Sequence, residues 1–212
     1  VKVLRYVAED ADLIYVGKEA SRHTLPQESI IDLMVRLARS GRSLVRLKGG
    51  DGFIFGRGGE EVLALAEAGI AFEVVPGITA AQGAGACAGI PLTHRDHAAT
   101  LVFATGHLRG DNELALDWEA LARPRQTVVI YMGVGNLPTI CGELVRHGLP
   151  AQTPAALVEQ ASLPGQRCIT GTLQDLPQLA QQHRVRAPAL IVVGEVVGLQ
   201  PQLMRGMQAA VL

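Results

Sequence analysis

The sequence predicts an α/β protein with two α/β domains, and three observations lead to this prediction. Short apolar runs typical of strands alternate with longer runs that carry the helical period of apolar residues. Most of these strands end in a glycine that leads into the next helix. The alternation stops at a polar cluster around His97 and then begins again, so we expect an N-terminal domain at 1–96 and a C-terminal domain at 97–212.

The first half should contain three strands, each followed by a helix. A glycine closes every helix of this half, at Gly41, Gly69 and Gly89, as is common after a last helical turn. The expected strands are 13–16, 44–47 and 71–75, and the expected helices are the one that ends at Gly41, 60–68 and 80–88.

The second half should repeat this alternation, although no sequence repeat relates the two halves. The expected strands are 100–105, 127–132, 155–158, 168–172 and 189–193, and the expected helices are 117–122, 137–147 and 175–182. Ligands of such folds bind outside the carboxyl ends of the strands, so the strand ends hold the candidate site residues.

A glycine loop, residues 49–56, follows the second expected strand. It begins Gly49-Gly50-Asp51-Gly52, and glycines allow a backbone to approach a ligand closely, while Asp51 offers an acceptor for hydroxyl, amine or cationic groups. A tight turn that needs glycine for its geometry alone is the alternative. The loop lacks the G-x4-G-K-[ST] pattern of a phosphate-binding P-loop, and the next strand lacks the terminal acidic residue of a dinucleotide site.

Two further strand ends carry candidate groups. Pro76 to Ala80 leads into a helix of alanine and glycine, whose first-turn amides could meet a ligand or whose small residues could serve close packing. Lys18 also follows a strand, where desolvation would make it an acid or base, although a solvated surface lysine is the simpler reading. In the second half, Met132 ends a strand and could line a pocket.

Composition excludes several classes of function. The net charge of −1 argues against nucleic-acid binding through bulk electrostatics, and 4% aromatic residues disfavour base stacking. Cys87, Cys141 and Cys168 lie far apart without metal or redox spacing, so we predict no metal site and expect buried thiols in a reducing, cytoplasmic compartment. Neither a signal peptide nor a membrane span is expected. An anionic ligand would have to be met by local cations, for which Arg57, Arg95 and the histidines beside Arg95 are candidates.

Seven strings of the sequence together match one family. They are VGK (16–18), PQESI (26–30), VRLKGGDGFIFGRGGEE (45–61), VVPGITAAQGAGACAGIPLTHR (74–95), ATGH (104–107), YMG (131–133) and PALIVVGEVV (188–197). With these strings the chain resembles the uroporphyrinogen-III C-methyltransferases, S-adenosylmethionine-dependent enzymes at the branch to sirohaem, cobalamin and haem d1. The resemblance runs through nearly the whole chain, and the glycine-loop and GIPLTHR strings are specific to this family.

The resemblance implies a two-domain homodimer that binds both ligands in an interdomain cleft and methylates C2 and C7 of uroporphyrinogen III to give precorrin-2. It implies two groups of catalytic or substrate-binding residues. Lys18 matches the family's proposed proton donor, and Arg57, Glu60 and Arg95 match positions that line the family's tetrapyrrole pocket. The residues implied to bind S-adenosyl-L-methionine, and its product S-adenosyl-L-homocysteine, are Gly49, Gly50, Asp51, Ile54, Thr79, Ala80, Met132 and Ala161.

Three departures from the family pattern qualify these implications. The family's first strand with its GxGPGD loop, and a second strand with a catalytic aspartate, are absent here, so we expect the native polypeptide to be longer. Gly52 replaces the usual proline, and Ala161 stands where relatives carry a donor-site glycine. Two rival functions stay open: a methyltransferase of a later corrin intermediate, and a non-catalytic module that binds S-adenosylmethionine.

Overall fold

The computed structural model describes residues 2–17, 25–107 and 114–209 of the 212 residues. The chain divides into two compact units, which are Val1–Lys48 with Arg57–Val75, and Gly49–Gly56 with Pro76–Leu212. Both helices and a five-stranded sheet are present, so the predicted α/β class is confirmed. The units reflect contacts within the structure, and the division into domains 1–96 and 97–212 stays a prediction.

The first unit contains α1 (Gln27–Arg39) and α2 (Gly58–Glu67), preceded by a 3-10 helix at Lys2–Tyr6. Both α-helices were predicted, but the strands predicted at 13–16, 44–47 and 71–75 are wrong, because the described residues of these segments form no ladder. Alternating apolar residues favour an extended backbone, yet a strand also needs a neighbour that pairs with its amides and carbonyls. Without such pairing here, Val45 is 92% exposed and Val75 is 80% exposed.

The second unit is built on a mixed sheet whose five strands all lie within one residue of their predicted bounds. The strands are β1 (Thr100–Thr105), β2 (Gln126–Tyr131), β3 (Pro154–Glu159), β4 (Arg167–Thr172) and β5 (Ala189–Val193). Their order is β1-β2-β5-β3-β4, with β1 parallel to β2 and the other neighbours antiparallel. The parallel pair brings the carboxyl ends of β1 and β2 to the same edge of the sheet.

Helices cover both faces of this sheet. The α-helices are α3 (Ala80–Ala88), α4 (Trp118–Leu121), α5 (Leu137–Arg146), α6 (Leu176–Gln182) and α7 (Gln200–Ala209), and 3-10 helices lie at Val134–Asn136 and Glu195–Leu199. The sequence predicted α3 to α6, but it did not predict α7 or the two 3-10 helices. None of the helices described in either unit has the length and hydropathy needed to cross a bilayer.

The alternation of side chains along β2 separates two hydrophobic cores. Val128 and Ile130 point to the core that α5 and α6 cover, whereas Val129 and Tyr131 point to the core that includes the alanines of α3. Tyr131 is the last residue of β2, so its side chain lies on the α3 side at the carboxyl end of the strand. This position places it among the predicted ligand-binding residues.

Candidate functional site

Asp51 joins the glycine loop to the turn before α3. One carboxylate oxygen accepts a hydrogen bond from the Phe53 amide at 2.8 Å, and the other accepts one from the Gly77 amide at 3.0 Å. These bonds, with the Gly77 bond contributing most, lower the pKa of Asp51 below its ordinary value. The carboxylate therefore stays ionised until the pH falls through this lowered pKa, and above it the site keeps a negative charge.

The glycine loop and the turn approach each other so closely that only glycine fits between them. A Cβ atom added at Gly77 would lie 2.1 Å from the carbonyl oxygen of Gly50. Gly50 has a φ of 73° and faces the backbone of Thr79 and Ala80. A Cβ added at Gly49 would meet no atom of the described residues within 4 Å, which leaves room for a ligand beside the loop.

The first turn of α3 receives a hydrogen-bonding partner from β2. Thr79 is the N-cap residue, yet its side chain caps no amide of the helix. Its Oγ1 lies instead 2.6 Å from the Tyr131 hydroxyl, which also accepts a hydrogen bond from the Ala81 amide at 3.0 Å. The expectation that the first-turn amides are free to meet a ligand is therefore wrong for Ala81, because its amide already donates a hydrogen bond to the Tyr131 hydroxyl.

The Tyr131 ring lies between two aromatic side chains. Phe55 of the glycine loop packs against it with ring centroids 4.8 Å apart, and Phe103 of β1 lies at 5.8 Å. Ile54 packs against the same core. Sequence reasoning singled out the strand end but missed this side chain. The available signal was a tyrosine that directly follows the apolar run Val128-Val129-Ile130 in a chain with only three tyrosines.

Met132 and Ala161 occupy two other loop positions of the second unit. Met132 directly follows Tyr131, has a φ of 53°, and leaves its side chain 52% exposed at the end of β2. A positive φ outside glycine is uncommon and is found often at ligand sites. Ala161 follows β3, is partly buried, and packs against the α3-side core. Of the predicted donor residues, the structure brings together Gly50, Asp51, Ile54, Thr79, Ala80 and Met132 around Tyr131.

Arg95 lies on a loop that is held in place from two sides. Arg125 donates hydrogen bonds to the carbonyl oxygens of Arg95 and Asp96 at 3.0 and 2.9 Å. His97 Nδ1 lies 3.3 Å from Glu195 Oε2. The Arg95 side chain itself is exposed, so a tethered backbone presents a guanidinium to solvent. Within the described ranges no group of three or more His, Cys, Asp or Glu side chains is arranged to hold a metal ion.

The other predicted catalytic residues belong to the first unit or fall outside the described chain. Arg57 pairs bidentately with Glu60, at 2.8 and 2.5 Å, and both side chains are about half exposed. The hydrogen bond from Arg57 lowers the pKa of Glu60. Nearby, Glu61 is buried and accepts from Lys48 and other donors of this unit. Lys18 lies outside the described residues.

Comparison with known proteins shows which families share these features. A sequence model of the family "Tetrapyrrole (Corrin/Porphyrin) Methylases" matches residues 2–177. A sirohaem synthase of Nitrosomonas europaea is 56% identical over 201 residues, which are 95% of this chain and 42% of that protein. A sirohaem synthase of Pseudomonas putida is 59% identical over 194 residues. The chain thus spans about two fifths of the length of the curated relatives it matches.

Solved structures match as well. The uroporphyrin-III C-methyltransferase of Thermus thermophilus, in complex with S-adenosyl homocysteine, superposes with a TM-score of 0.73 at 40% identity. That match covers 88% of this chain and 78% of the Thermus chain. A cobalt precorrin-4 methyltransferase superposes with a TM-score of 0.72 over 84% of this chain and 73% of its own, and its 24% identity supports the shared fold alone.

Proposed function

Because the chain belongs to the tetrapyrrole (corrin/porphyrin) methylases, we propose that it carries an S-adenosylmethionine-dependent C-methyltransferase activity on uroporphyrinogen III. The reaction would place methyl groups at C2 and C7 and give precorrin-2. The relatives that support this proposal are sirohaem synthases and the Thermus uroporphyrin-III C-methyltransferase.

The observation that carries the proposal is the docking of the glycine loop onto the start of α3. Asp51 ties this loop to Gly77, and the contact lies beside the end of β2, where Tyr131 and Met132 are found. An anionic, water-accessible carboxylate next to exposed apolar groups suits a cationic sulfonium donor with apolar parts. The free space beside Gly49 is consistent with a ligand on the loop.

The chemistry requires mainly binding and orientation. The donor supplies a methyl group that is already electrophilic. The new bond joins this methyl to a pyrrole carbon while the bond from methyl to sulfur breaks, and the methylated ring system then loses a proton. The protein must therefore hold the two reactants in line, which is a matter of proximity. In our proposal the glycine loop, Thr79, Ala80, Met132 and Ala161 hold the donor, and Arg95 binds a substrate carboxylate.

Arg57 and Glu60, which belong to the first unit, are proposed to bind substrate from the family resemblance. Arg57 and Glu60 form a bidentate pair that uses two N–H groups of the guanidinium, so its other N–H groups can meet a substrate carboxylate while Glu60 orients Arg57. Lys18 is proposed as the proton donor on the strength of the family resemblance alone. We further propose that the protein is a homodimer and is cytoplasmic. Light scattering of the purified protein would test the dimer by measuring its mass.

The decisive experiment is a turnover assay on the natural full-length protein. Uroporphyrinogen III and S-adenosylmethionine are supplied without oxygen, and the product is identified by mass and absorbance. We expect the addition of two methyl groups. Addition to a later corrin intermediate only would favour the same-fold rival. Binding of S-adenosylhomocysteine in calorimetry without any turnover would favour the non-catalytic module.

A further inference from the structure

Tyr131 is a buried polar side chain to which neither the family resemblance nor the chemistry above assigns a task. It is 8% exposed, and its phenol reaches from the end of β2 to the first turn of α3. Its ring contacts Phe55 of the glycine loop, and its backbone continues directly into Met132. One side chain therefore touches or adjoins three of the segments around the proposed donor site.

One of the two hydrogen bonds of its hydroxyl has a fixed direction. The Ala81 amide can only donate, so it occupies an acceptor lone pair of the phenol oxygen at 3.0 Å. A phenol oxygen that already accepts one bond is a poor second acceptor, because its remaining lone pair is delocalised into the ring. In the 2.6 Å contact between the Tyr131 hydroxyl and Thr79 Oγ1 either oxygen can donate. The phenol is the more acidic group and therefore the better donor, and with the phenol donating, the hydroxyl hydrogen of Thr79 is left to donate elsewhere.

We infer that Tyr131 is a positioning residue for the methyl donor and acts through Thr79. Its hydroxyl holds the Thr79 side chain away from its usual task of capping α3 and turns the Thr79 hydrogen toward an acceptor atom of the bound donor. The ring at the same time keeps Phe55, and with it the glycine loop, next to that hydroxyl. This inference rests on the proposed function, since it assumes that the donor binds at this loop.

The test removes the hydroxyl and keeps the ring. In the natural full-length protein, Tyr131→Phe should weaken S-adenosylhomocysteine binding about tenfold in calorimetry, as expected for the loss of an orienting hydrogen bond. The KM for uroporphyrinogen III should change less than twofold. Tyr15→Phe is the matched control, because Tyr15 is 62% exposed and the loss of its hydroxyl should leave donor binding unchanged.

A double-mutant cycle distinguishes positioning from general support of the structure. If Tyr131 acts through Thr79, Tyr131→Phe should add no further loss to that of Thr79→Val, whereas an independent structural role would give additive losses. Should Tyr131→Phe fail to fold, Thr79→Ser against Thr79→Val reports the same bond from its other end. Only the variant that keeps the hydroxyl should then bind as tightly as the natural protein.

Each outcome bears on one proposal or on both. Unchanged donor affinity in Tyr131→Phe, additive losses in the cycle, or equal binding by the two Thr79 variants would overturn the positioning role and leave the proposed function intact. If the natural protein itself does not bind S-adenosylhomocysteine, the proposed function and this inference fail together.

Discussion

Replacing Gly77 with alanine should push the glycine loop away from the start of α3. The new Cβ atom would lie 2.1 Å from the Gly50 carbonyl oxygen, and ordinary contact begins near 3.4 Å, so one backbone must move by more than 1 Å. The position of a Cβ atom is fixed by its own backbone and the Gly50 oxygen is a backbone atom, so no side-chain rotation can relieve the contact. Overpacking of this kind costs about 1–3 kcal/mol of stability, and the shift also lengthens the bond from Gly77 to Asp51.

The displacement should reduce function as well as stability. A displacement of about 1 Å in a site that works by alignment reduces turnover by roughly 100-fold. We therefore expect Gly77→Ala to lower kcat/KM by about that factor and to weaken S-adenosylhomocysteine binding, while the Tm falls by about 2–12 °C. Calorimetry, thermal unfolding and steady-state kinetics on the natural full-length protein would measure the three quantities.

Gly83→Ala is the matched control for this substitution. A Cβ atom at Gly83 would meet nothing within 4 Å in the part of the chain that the structure describes. Alanine within a helix such as α3 stabilises by about 0.5–1 kcal/mol relative to glycine. Donor affinity should stay unchanged in this variant. If Gly77→Ala bound the donor product and turned over as well as Gly83→Ala, the reasoning from the close backbone approach would be refuted.

Three further predictions concern other parts of the chain. Arg95→Ala should raise the KM for uroporphyrinogen III about tenfold or more and leave S-adenosylhomocysteine affinity within about twofold, as kinetics and calorimetry would measure. Glu61→Ala should destabilise the protein by about 3–5 kcal/mol in urea unfolding, because removal of this buried carboxylate leaves the cations that it pairs with uncompensated. Glu60→Ala should cost at most about 1 kcal/mol, because its ion pair is exposed. Burial raises the pKa of the Cys141 thiol to about 12. At pH 8 its alkylation should therefore be about a thousandfold slower than in the unfolded chain and should accelerate as the pH rises toward that value.

Each of these expectations has a contrary result. Equal losses of tetrapyrrole and donor binding in Arg95→Ala would reject the division of roles between the two ligand sites. A similar loss of stability in the two glutamate variants would mean that the burial of Glu61 does not decide its contribution. Rapid, pH-independent labelling of Cys141 in the native protein would show that this thiol is accessible and not desolvated.

The local sequence pattern predicted a helix or strand correctly wherever the pattern of apolar residues in that segment also implies what the segment packs against. All five strands and the helices α3 to α6 of the second unit were predicted, because continuous apolar runs between turn residues have few alternatives in a buried sheet. The same reasoning was wrong for the strands expected at 13–16, 44–47 and 71–75. An alternating segment predicts an extended backbone, but only a paired neighbour makes it a strand.

The sequence by itself determined the α/β class, the order of the strands and of α3 to α6 in the second unit, and the position of Met132 at the end of β2. Only the tertiary structure decided that Gly50 and Gly77 meet backbone to backbone and that the Tyr131 hydroxyl serves α3. The physical reason is the range of the interactions. Periodicity and glycine conformation act over a few residues, whereas Tyr131 lies about fifty residues from the amide it binds, a pairing that only the packed sheet brings about.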